Sequence, residues 1–250
     1  MITMKNDATH YGLIGKSLQH SFSKKFFDEK FKNECIAAIY HNFELSSLKE
    51  FPGFLKKHPE IKGLNVTIPY KTEIIPYLDG LSETAKEIGA VNVIEFSNNK
   101  LIGHNTDAFG FQQAIKPFLR NIHERALILG TGGASKAVAY VLNNLGIDVA
   151  YLSRDPQGGN AFSYDEANEY MVKAFKLVIN CTPLGTFPNV DEIPNYPVEL
   201  VGEDHFVIDL IYNPNQTLLL KLAADKKADT MNGLSMLKHQ AIKAWEIWNS

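Results

Sequence analysis

The clearest change of hydrophobic pattern lies in the middle of the chain. Residues 126–129 form a short continuous apolar run, which is typical of a strand buried on both faces, whereas the apolar residues of 134–142 recur at helical spacing. Gly130, Gly132 and Gly133 stand between the two patterns. Such a turn brings backbone N–H groups at a helix N-terminus close to an anion. The pattern therefore predicts a strand, a phosphate-binding turn and a helix.

The residues that follow this turn complete a predicted βαβ unit. Ser135 stands where the dinucleotide fingerprint has its third glycine, but a helix stop at 143–146 and a second apolar run at 147–152 supply the expected context. An NAD site usually has an acidic residue after that second strand. Here Ser153 and Arg154 follow, and a guanidinium suits a 2′-phosphate, which favours NADP over NAD. The alternative is an ordinary βα turn with a solvent-facing arginine.

Strand and helix patterns alternate through the rest of the chain, which predicts an α/β fold with two α/β layers. A hairpin turn is predicted at Asn98 and Asn99. The predicted strands are 10–15, 38–43, 63–69, 89–96, 100–104, 177–180, 206–210 and 228–231. The predicted helices are 22–31, 47–57, 82–88, 108–119, 163–170, 218–224 and 235–248.

Composition narrows the functional class. The 250 residues suffice for one large domain or two modest ones, and 45% hydrophobic with 21% charged residues is ordinary for a globular protein. A formal charge of −3 gives no overall attraction to nucleic acid or anionic membrane. No apolar run reaches membrane-spanning length and residues 1–7 contain no export signal, so a cytoplasmic protein is expected. Cys35 and Cys181 are predicted to be packed thiols, and the eight histidines show no metal-ligand spacing, so no metal is expected.

Two pairs of polar residues are candidates for chemistry. Lys71 and Asp107 each follow a predicted strand, and a nearby carboxylate could tune a lysine that is otherwise a slow base at neutral pH. A solvated lysine and a plain helix cap would explain them equally well. Ser21 and Ser23 precede a helix, where they could cap it or bind a carboxylate. Spacing alone favours capping for the serines and leaves the roles of Lys71 and Asp107 open.

Six motifs, in order along the chain, resemble the shikimate dehydrogenases. They are Asn-Val-Thr-Ile-Pro-Tyr-Lys at 65–71, Gly-Ala-Val-Asn at 89–92, Gly-His-Asn-Thr-Asp at 103–107, Gly-Thr-Gly-Gly-Ala at 130–134, Asn-Cys-Thr-Pro-Leu-Gly at 180–185 and Met-Leu-Lys-His-Gln-Ala at 236–241. Enzymes of this family are oxidoreductases that reduce 3-dehydroshikimate to shikimate with NADPH, in the shikimate pathway of chorismate and aromatic amino-acid biosynthesis. The resemblance therefore implies an enzyme, NADP as cofactor, and shikimate with 3-dehydroshikimate as its small-molecule partners.

The resemblance also implies a domain plan. An N-terminal substrate-binding domain at 1–106 would be completed by a C-terminal helix at 234–250, and a Rossmann-like NADP-binding domain would occupy 107–233. The active site would lie in the cleft between the two domains. No nucleic-acid or membrane partner is implied, and the chain would be a monomer or a homodimer.

Transferred position by position, the resemblance assigns roles to individual residues. Lys71 and Asp107 become the catalytic pair, with Lys71 exchanging the proton. The substrate-binding residues would be Ser21 and Ser23 for the carboxylate, Asn65, Thr67, Asn92 and Gln240 for the ring hydroxyls, and Tyr212 near the nicotinamide. The cofactor-binding residues would be Gly130, Gly132, Gly133, Ala134, Ser153, Arg154, Thr182 and Gly233.

Two departures from the family pattern bear on specificity. The family's usual N-R-T-x-x-R/K is replaced by Ser-Arg-Asp-Pro-Gln at 153–157, which keeps one cation, loses another and predicts weaker selectivity for NADP. Lys16 replaces a common proline after Gly15. One alternative is a quinate/shikimate dehydrogenase with a different ring substrate. The other alternative is a non-catalytic dinucleotide-sensing protein. The presence of both Lys71 and Asp107 argues against it.

Overall fold

The computed structural model describes residues 8–18 and 21–250. Residues 1–7, expected to contain no export signal, lie outside that range. In chain order the strands and helices are β1 (Thr9–Gly15), α1 (Phe22–Asn33), β2 (Ala38–Glu44), α2 (Phe51–Lys57), β3 (Ile61–Val66), β4 (Gly80–Leu81), α3 (Glu83–Ile88), β5 (Val93–Ser97), β6 (Lys100–His104), α4 (Asp107–Ile115), β7 (Arg125–Leu129), α5 (Gly133–Asn144), β8 (Asp148–Ser153), β9 (Ala161–Ser163), α6 (Glu169–Ala174), β10 (Leu177–Asn180), β11 (Phe206–Asp209), α7 (Leu218–Asp225), β12 (Asp229–Asn232) and α8 (Leu234–Trp248).

The chain divides into two compact units. The first unit is Met1–Phe109 with Gln240–Ser250, and the second is Gly110–His239. Each unit contains a six-stranded sheet with helices, so the predicted α/β fold class is confirmed. The division falls inside α4 and inside α8, which means that each of these helices carries the chain from one unit to the other.

The sheet of the first unit is mixed, with the strand order β2-β1-β3-β5-β6-β4. β1 pairs in parallel with β2 and β3, whereas β5 runs antiparallel to both β3 and β6. Asn98 and Asn99, with φ of 50° and 60°, form the turn between β5 and β6, which confirms the predicted hairpin. Asparagine tolerates this left-handed conformation better than most residues do, so the local sequence determines the turn.

Both faces of this sheet are buried under side chains. Tyr11 and Leu13 of β1 pack on an aromatic cluster from α1, β2 and α8, while Ile14 faces the core formed with α2 and β3. Strand side chains alternate between faces, which is why neighbouring residues of β1 enter different cores. The C-terminal end of α8 is held here as well, because Trp248 Nε1 donates to the carbonyl of Ile94 at 3.1 Å. A Cβ on Gly63 would lie 2.4 Å from the Trp248 ring, so only glycine permits this approach.

The sheet of the second unit is parallel throughout, with the strand order β12-β11-β10-β7-β8-β9. The chain adds β8 and β9 on one side of β7 and then returns to add β10, β11 and β12 on the other. An open parallel sheet binds ligands where the strand order reverses, beyond the carboxyl ends of its strands. In this unit that position lies at the ends of β7 and β10.

Several predicted elements differ from the structure. The helix predicted at 163–170 is wrong: β9 and a single 3-10 turn precede α6, and Asn168 begins α6 by accepting backbone hydrogen bonds from Tyr170 and Met171 at 3.0 and 3.1 Å. β3 ends at Val66 rather than at 69, and α4 ends at Ile115 before the turn that contains Pro117. The sequence reading missed β4 and β9, because two or three residues carry no periodicity.

The two cysteines are both free, but they differ in their surroundings. Cys181 is half-buried, and burial raises the pKa of its thiol well above the usual range. Cys35 is exposed, with a φ of 54° just after α1, so the prediction of a packed thiol is wrong there. The last turn of α1 ends before Cys35, which places the side chain outside the apolar stripe of that helix.

Candidate functional site

An ion pair between Lys71 and Asp107 lies at the centre of the polar residues in the first unit. Lys71 Nζ donates to Asp107 Oδ2 at 2.7 Å, and the two side chains are 16% and 7% exposed. Lys71 lies beyond the end of β3, and Asp107 begins α4. A lysine ammonium has three donors, so Asp107 occupies one and leaves others for an oxygen atom of a ligand.

Asn92 holds the other oxygen of this carboxylate. Its Nδ2 donates to Asp107 Oδ1 at 3.0 Å and to Thr106 Oγ1 at 3.0 Å, and its Oδ1 accepts from the backbone N–H of Thr106 at 2.7 Å. Asp107 is therefore bound at both oxygens, and Asn92 is fixed in one amide orientation. The carboxylate therefore cannot turn away from Lys71 without breaking a bond.

Gln240 joins the same network from α8. Its Oε1 lies 3.4 Å from both Asn92 Nδ2 and Thr106 Oγ1, although 148 and 134 residues of chain separate the partners. Gln240 is only 5% exposed. The structure thus brings together Lys71, Asp107, Asn92 and Gln240 of the predicted residues.

Ser21 is the N-cap of α1. Its Oγ accepts from the backbone N–H of Lys24 at 3.1 Å, as the capping interpretation predicts. Capping uses a lone pair of the hydroxyl and leaves its hydrogen free to be donated, so the cap does not preclude binding of a carboxylate. A helix N-terminus also favours a negative charge.

Side chains of β2 hold the segment before this cap. The backbone N–H of Leu18 donates to Glu44 Oε1 at 2.6 Å, and Asn42 Nδ2 donates to the carbonyl of Leu18 at 3.1 Å. The carbonyl of Leu18 also accepts from the backbone N–H of Ser21 at 3.2 Å. Leu18 is therefore bonded both to side chains of β2 and to the backbone of the capping residue Ser21.

Ser23 and Asn65 share a partner that the sequence reading missed. Tyr40 donates its hydroxyl to Asn65 Oδ1 at 2.6 Å, and Ser23 hydrogen-bonds the same hydroxyl. Asn65 Nδ2 in turn donates to the carbonyl of Asn92 at 3.2 Å. A tyrosine within a strand pattern gives no local sign of such a contact.

The remaining predicted substrate residues have other surroundings. Thr67 follows β3, is half-buried and turns its methyl group towards Gly15. Tyr212 belongs to the second unit, where it lies half-buried beyond the end of β11.

The predicted phosphate-binding turn lies between β7 and α5. Gly130 has a φ of +91°, and a Cβ there would lie 2.9 Å from the Thr182 methyl group, so this position needs glycine. Gly132 is the N-cap of α5 without any side-chain capping bond, and Gly133 and Ala134 form the first turn. The N–H groups of that turn can receive a phosphate, which the exposed, Cβ-free Gly132 would allow to approach.

Ser135 explains why the fingerprint departs from three glycines. It is buried, and its Oγ donates to the carbonyl of Gly132 at 2.5 Å. The hydroxyl is therefore turned back onto the turn and stabilises it. A third glycine would remove that bond.

The carboxyl ends of β10 and β11 carry a second buried polar cluster. Thr182 Oγ1 donates to Asn180 Oδ1 at 2.7 Å, and Asn180 Nδ2 donates to Asp209 Oδ1 at 3.0 Å. Asp209 also accepts from Thr217 Oγ1 at 2.6 Å and from the backbone N–H of Ile211 at 3.1 Å. Burial nevertheless raises the pKa of the Asp209 carboxyl to about 6, because these neutral donors only partly offset the loss of water.

The other predicted cofactor residues are arranged as follows. Ser153, at the end of β8, is buried and bonded through its Oγ to the backbone of Asp155, whereas Arg154 is exposed. Asp155 accepts from Gln157 Nε2 at 2.9 Å. A Cβ on Gly233 would lie 2.0 Å from the carbonyl oxygen of Leu210, so close packing by itself requires glycine at that position.

Metal binding and membrane insertion find no support in the described ranges. Residues 8–18 and 21–250 contain no group of three or more His, Cys, Asp or Glu side chains placed to hold a metal ion. Within the same residues, no helix has the length and apolar character needed to span a bilayer.

Thr106 was also missed, although the sequence carries a signal for it. It lies between Asn105 and Asp107 in the Gly-His-Asn-Thr-Asp motif, where Asn105 Oδ1 caps α4 by accepting from the backbone N–H of Ala108 at 3.1 Å. Its hydroxyl and its N–H both orient Asn92.

Comparison with known proteins identifies what this chain is similar to. A sequence profile for the shikimate dehydrogenase substrate binding domain matches residues 13–94. Shikimate dehydrogenase (NADP(+)) of Clostridium beijerinckii is 42% identical over 248 residues, which cover 95% of this chain and 91% of that protein. The crystal structure of shikimate dehydrogenase from Aquifex aeolicus is similar with a TM-score of 0.88 and 33% identity, covering 98% of this chain and 94% of that chain. The Thermus thermophilus enzyme, in complex with NADP(H) and shikimate, has a TM-score of 0.84 and 31% identity, covering 96% and 92%.

Proposed function

The chain belongs to the shikimate dehydrogenase family, and from that premise we propose that Lys71 and Asp107 form its proton-transferring pair. The protein is an NADP-dependent oxidoreductase that interconverts 3-dehydroshikimate and shikimate, in the pathway to chorismate and the aromatic amino acids. The 2.7 Å contact between Lys71 Nζ and Asp107 Oδ2 carries the proposal of the catalytic pair. It joins the lysine and the carboxylate whose roles the spacing of residues alone left open.

In the proposed mechanism, Lys71 exchanges a proton with the substrate oxygen that changes between ketone and alcohol. The hydride for the carbonyl carbon would come from NADPH held at the turn between β7 and α5, and would return to NADP⁺ in the reverse direction. Lys71 gives its proton to the developing alkoxide, and Asp107 holds the ammonium in place during that transfer. Asn92 and Thr106 keep the carboxylate of Asp107 from rotating, so the proton donor stays aligned.

The substrate-binding residues act through donors and acceptors of known orientation. Ser21 and Ser23 donate their hydroxyl hydrogens to the substrate carboxylate at the N-terminus of α1. The ring hydroxyls are held by the remaining substrate residues of the first unit, which are Asn65, Thr67, Asn92 and Gln240. Tyr212 contributes from the second unit.

The first turn of α5 has features that suit a dinucleotide phosphate. It has no side-chain capping bond, and no side chain at Gly132 blocks its N–H groups. We assign Gly130, Gly132, Gly133, Ala134, Ser153, Thr182 and Gly233 to the dinucleotide, and Arg154 to the 2′-phosphate. The unit Gly110–His239 is thus the NADP-binding domain, and the unit Met1–Phe109 with Gln240–Ser250 binds the substrate.

The test is the initial rate of shikimate oxidation with NADP and, in parallel, with NAD and with quinate. We expect turnover of shikimate and a preference for NADP, reduced by the missing second cation. Efficient turnover of quinate with NAD would show the broader quinate/shikimate specificity, and tight NADPH binding without turnover would support a sensing protein. Cytoplasmic location and a monomeric or homodimeric state stay predictions, which cell fractionation and sedimentation would test.

A further inference from the structure

Tyr40 places one buried hydroxyl between two of the proposed substrate residues. Its side chain is fully buried in β2, and its ring stacks on Phe27 with the centroids 4.6 Å apart and the planes 14° from parallel. The hydroxyl donates to Asn65 Oδ1 at 2.6 Å and is hydrogen-bonded by Ser23. Because the stacked ring cannot move freely, the hydroxyl is fixed at one point.

This hydroxyl and the carbonyl of Asn92 together fix the orientation of the Asn65 amide. Oδ1 of Asn65 accepts from Tyr40, while Nδ2 donates to the carbonyl of Asn92 at 3.2 Å. Turning the amide over would place its oxygen against that carbonyl, and two acceptors cannot bond. In the observed orientation one N–H of Asn65 has no partner among residues 8–18 and 21–250, so it is available to a ligand oxygen.

We propose that Tyr40 is a positioning residue for substrate recognition, which directs the free N–H of Asn65 to a ring hydroxyl of shikimate. The inference rests on the proposed function, because it requires Asn65 to contact the substrate.

The hydroxyl stays a donor throughout the working range of pH. Burial raises the pKa of Tyr40 well above its usual range, and the hydrogen bond with Ser23 lowers it by less. The orientation of Asn65 therefore does not change when the solution becomes mildly alkaline.

The variant Tyr40→Phe removes the hydroxyl and keeps the ring. Asn65 Oδ1 then loses its donor, and the amide is held only by its bond to the carbonyl of Asn92, so its free N–H is less well directed. We expect the KM for shikimate to rise about tenfold, since one ligand contact is weakened equally in the ground state and the transition state. By the same reasoning kcat should stay within about twofold of the wild-type value.

Tyr11→Phe is the matched control. Tyr11 is also a buried tyrosine of the aromatic cluster formed by α1, β2 and α8, but its hydroxyl is hydrogen-bonded to the side chain of Asn249 near the end of the chain. Both variants lose one tyrosine hydroxyl, so both should unfold at a somewhat lower temperature. Only Tyr40→Phe should change the KM.

Double-mutant cycles identify the partner through which Tyr40 acts. The effect of Tyr40→Phe on KM should disappear in an Asn65→Ala background and persist in a Ser23→Ala background. If Asn65→Ala does not fold, shikimate analogues that lack one ring hydroxyl replace it, and Tyr40→Phe should leave the KM of one analogue unchanged.

The outcomes separate this proposal from the proposed function. If the wild-type protein oxidises shikimate and Asn65→Ala raises the KM, but Tyr40→Phe behaves like Tyr11→Phe, the role of Tyr40 is overturned and the function stands. An equal effect of Tyr40→Phe on the KM in the wild-type and Asn65→Ala backgrounds would also overturn the role of Tyr40. Absence of wild-type turnover would overturn the function and the role of Tyr40 together.

Discussion

The two units build their sites from different parts of the molecule. In the first unit the proposed catalytic site consists of side chains, and its partners Asn92 and Gln240 are 148 residues apart in the sequence. In the second unit the proposed dinucleotide-binding turn is made of backbone between β7 and α5, within one continuous stretch. A local backbone site leaves a periodic signal in the sequence, whereas a side-chain site assembled over long range does not.

The buried carboxylates of the two units differ in the charge of their hydrogen-bond partners. Asp107 is bonded to the ammonium of Lys71 and to the amide of Asn92. Asp209 is surrounded by neutral donors alone, and its pKa rises to about 6. The cation beside Asp107 is consistent with the proposed role of this carboxylate in holding Lys71, while Asp209 is bonded to the segments that follow β10 and β11.

The largest expected effect comes from removing that cation. Lys71→Ala should lower kcat by about a thousandfold or more, because a group that transfers a proton acts mainly in the transition state. The KM for shikimate should change little. Steady-state rates of shikimate oxidation measure both constants, and Lys62→Ala, at an exposed lysine of β3, is the control. A fall in kcat of less than tenfold would leave Lys71 without a catalytic role.

In the second unit, the buried carboxyl of Asp209 should make the free energy of unfolding depend on pH. Its pKa is raised in the folded state, so the stability it contributes is fully present below about pH 4 and is lost as the pH rises through about 6. Two pKa units correspond to about 3 kcal/mol of unfolding free energy. The difference between wild type and Asp209→Asn, measured by urea unfolding from pH 4 to 7, should change by up to about that amount. A difference independent of pH would mean that Asp209 titrates normally.

The sequence predicted the second unit's turn because each part of it is local. The apolar strand, the glycines and the amphipathic helix occupy neighbouring positions, and the hairpin at Asn98 and Asn99 was predicted for the same reason. The catalytic pair could not be derived in this way. Lys71 has an ordinary position after a strand, and nothing within ten residues of it indicates Asp107. The chemistry of a lysine tuned by a carboxylate made the two residues candidates, the resemblance to a family assigned them as a pair, and the structure supplied their distance.

Two residues that orient other site residues were not predicted from the sequence. Tyr40 fits a strand pattern, Thr106 fits a helix start, and both form hydrogen bonds to residues distant in sequence. Such contacts depend on the register between strands and on the return of α8, which hydrophobic periodicity does not determine. The helix predicted at 163–170 is wrong for a local reason. Ser163 and Glu166 form a capping box, which usually marks the start of a helix, but here only a single 3-10 turn follows it.

Arg154 tests whether one exposed side chain determines cofactor choice. Arg154→Ala should lower kcat/KM with NADP by about tenfold to a hundredfold, the range expected for lost hydrogen bonds to a charged phosphate. The value with NAD should not change, since NAD has no 2′-phosphate. Arg125→Ala is the control, because Arg125 is also exposed but begins β7 at the opposite end of the parallel strands. Equal losses with both cofactors would assign Arg154 to a general structural role.

The smallest effect should come from the backbone itself, at Gly132. Its φ is −76° and a Cβ there has nothing within 4 Å, so Gly132→Ala should fold with an unchanged unfolding temperature. A phosphate on the first turn of α5 would meet that methyl group, and we expect the KM for NADP to rise about tenfold. Gly53→Ala in α2, where a Cβ also has free space, should leave the KM unchanged. If Gly132→Ala also leaves it unchanged, the phosphate does not bind at this turn, and the backbone site of the second unit must lie elsewhere.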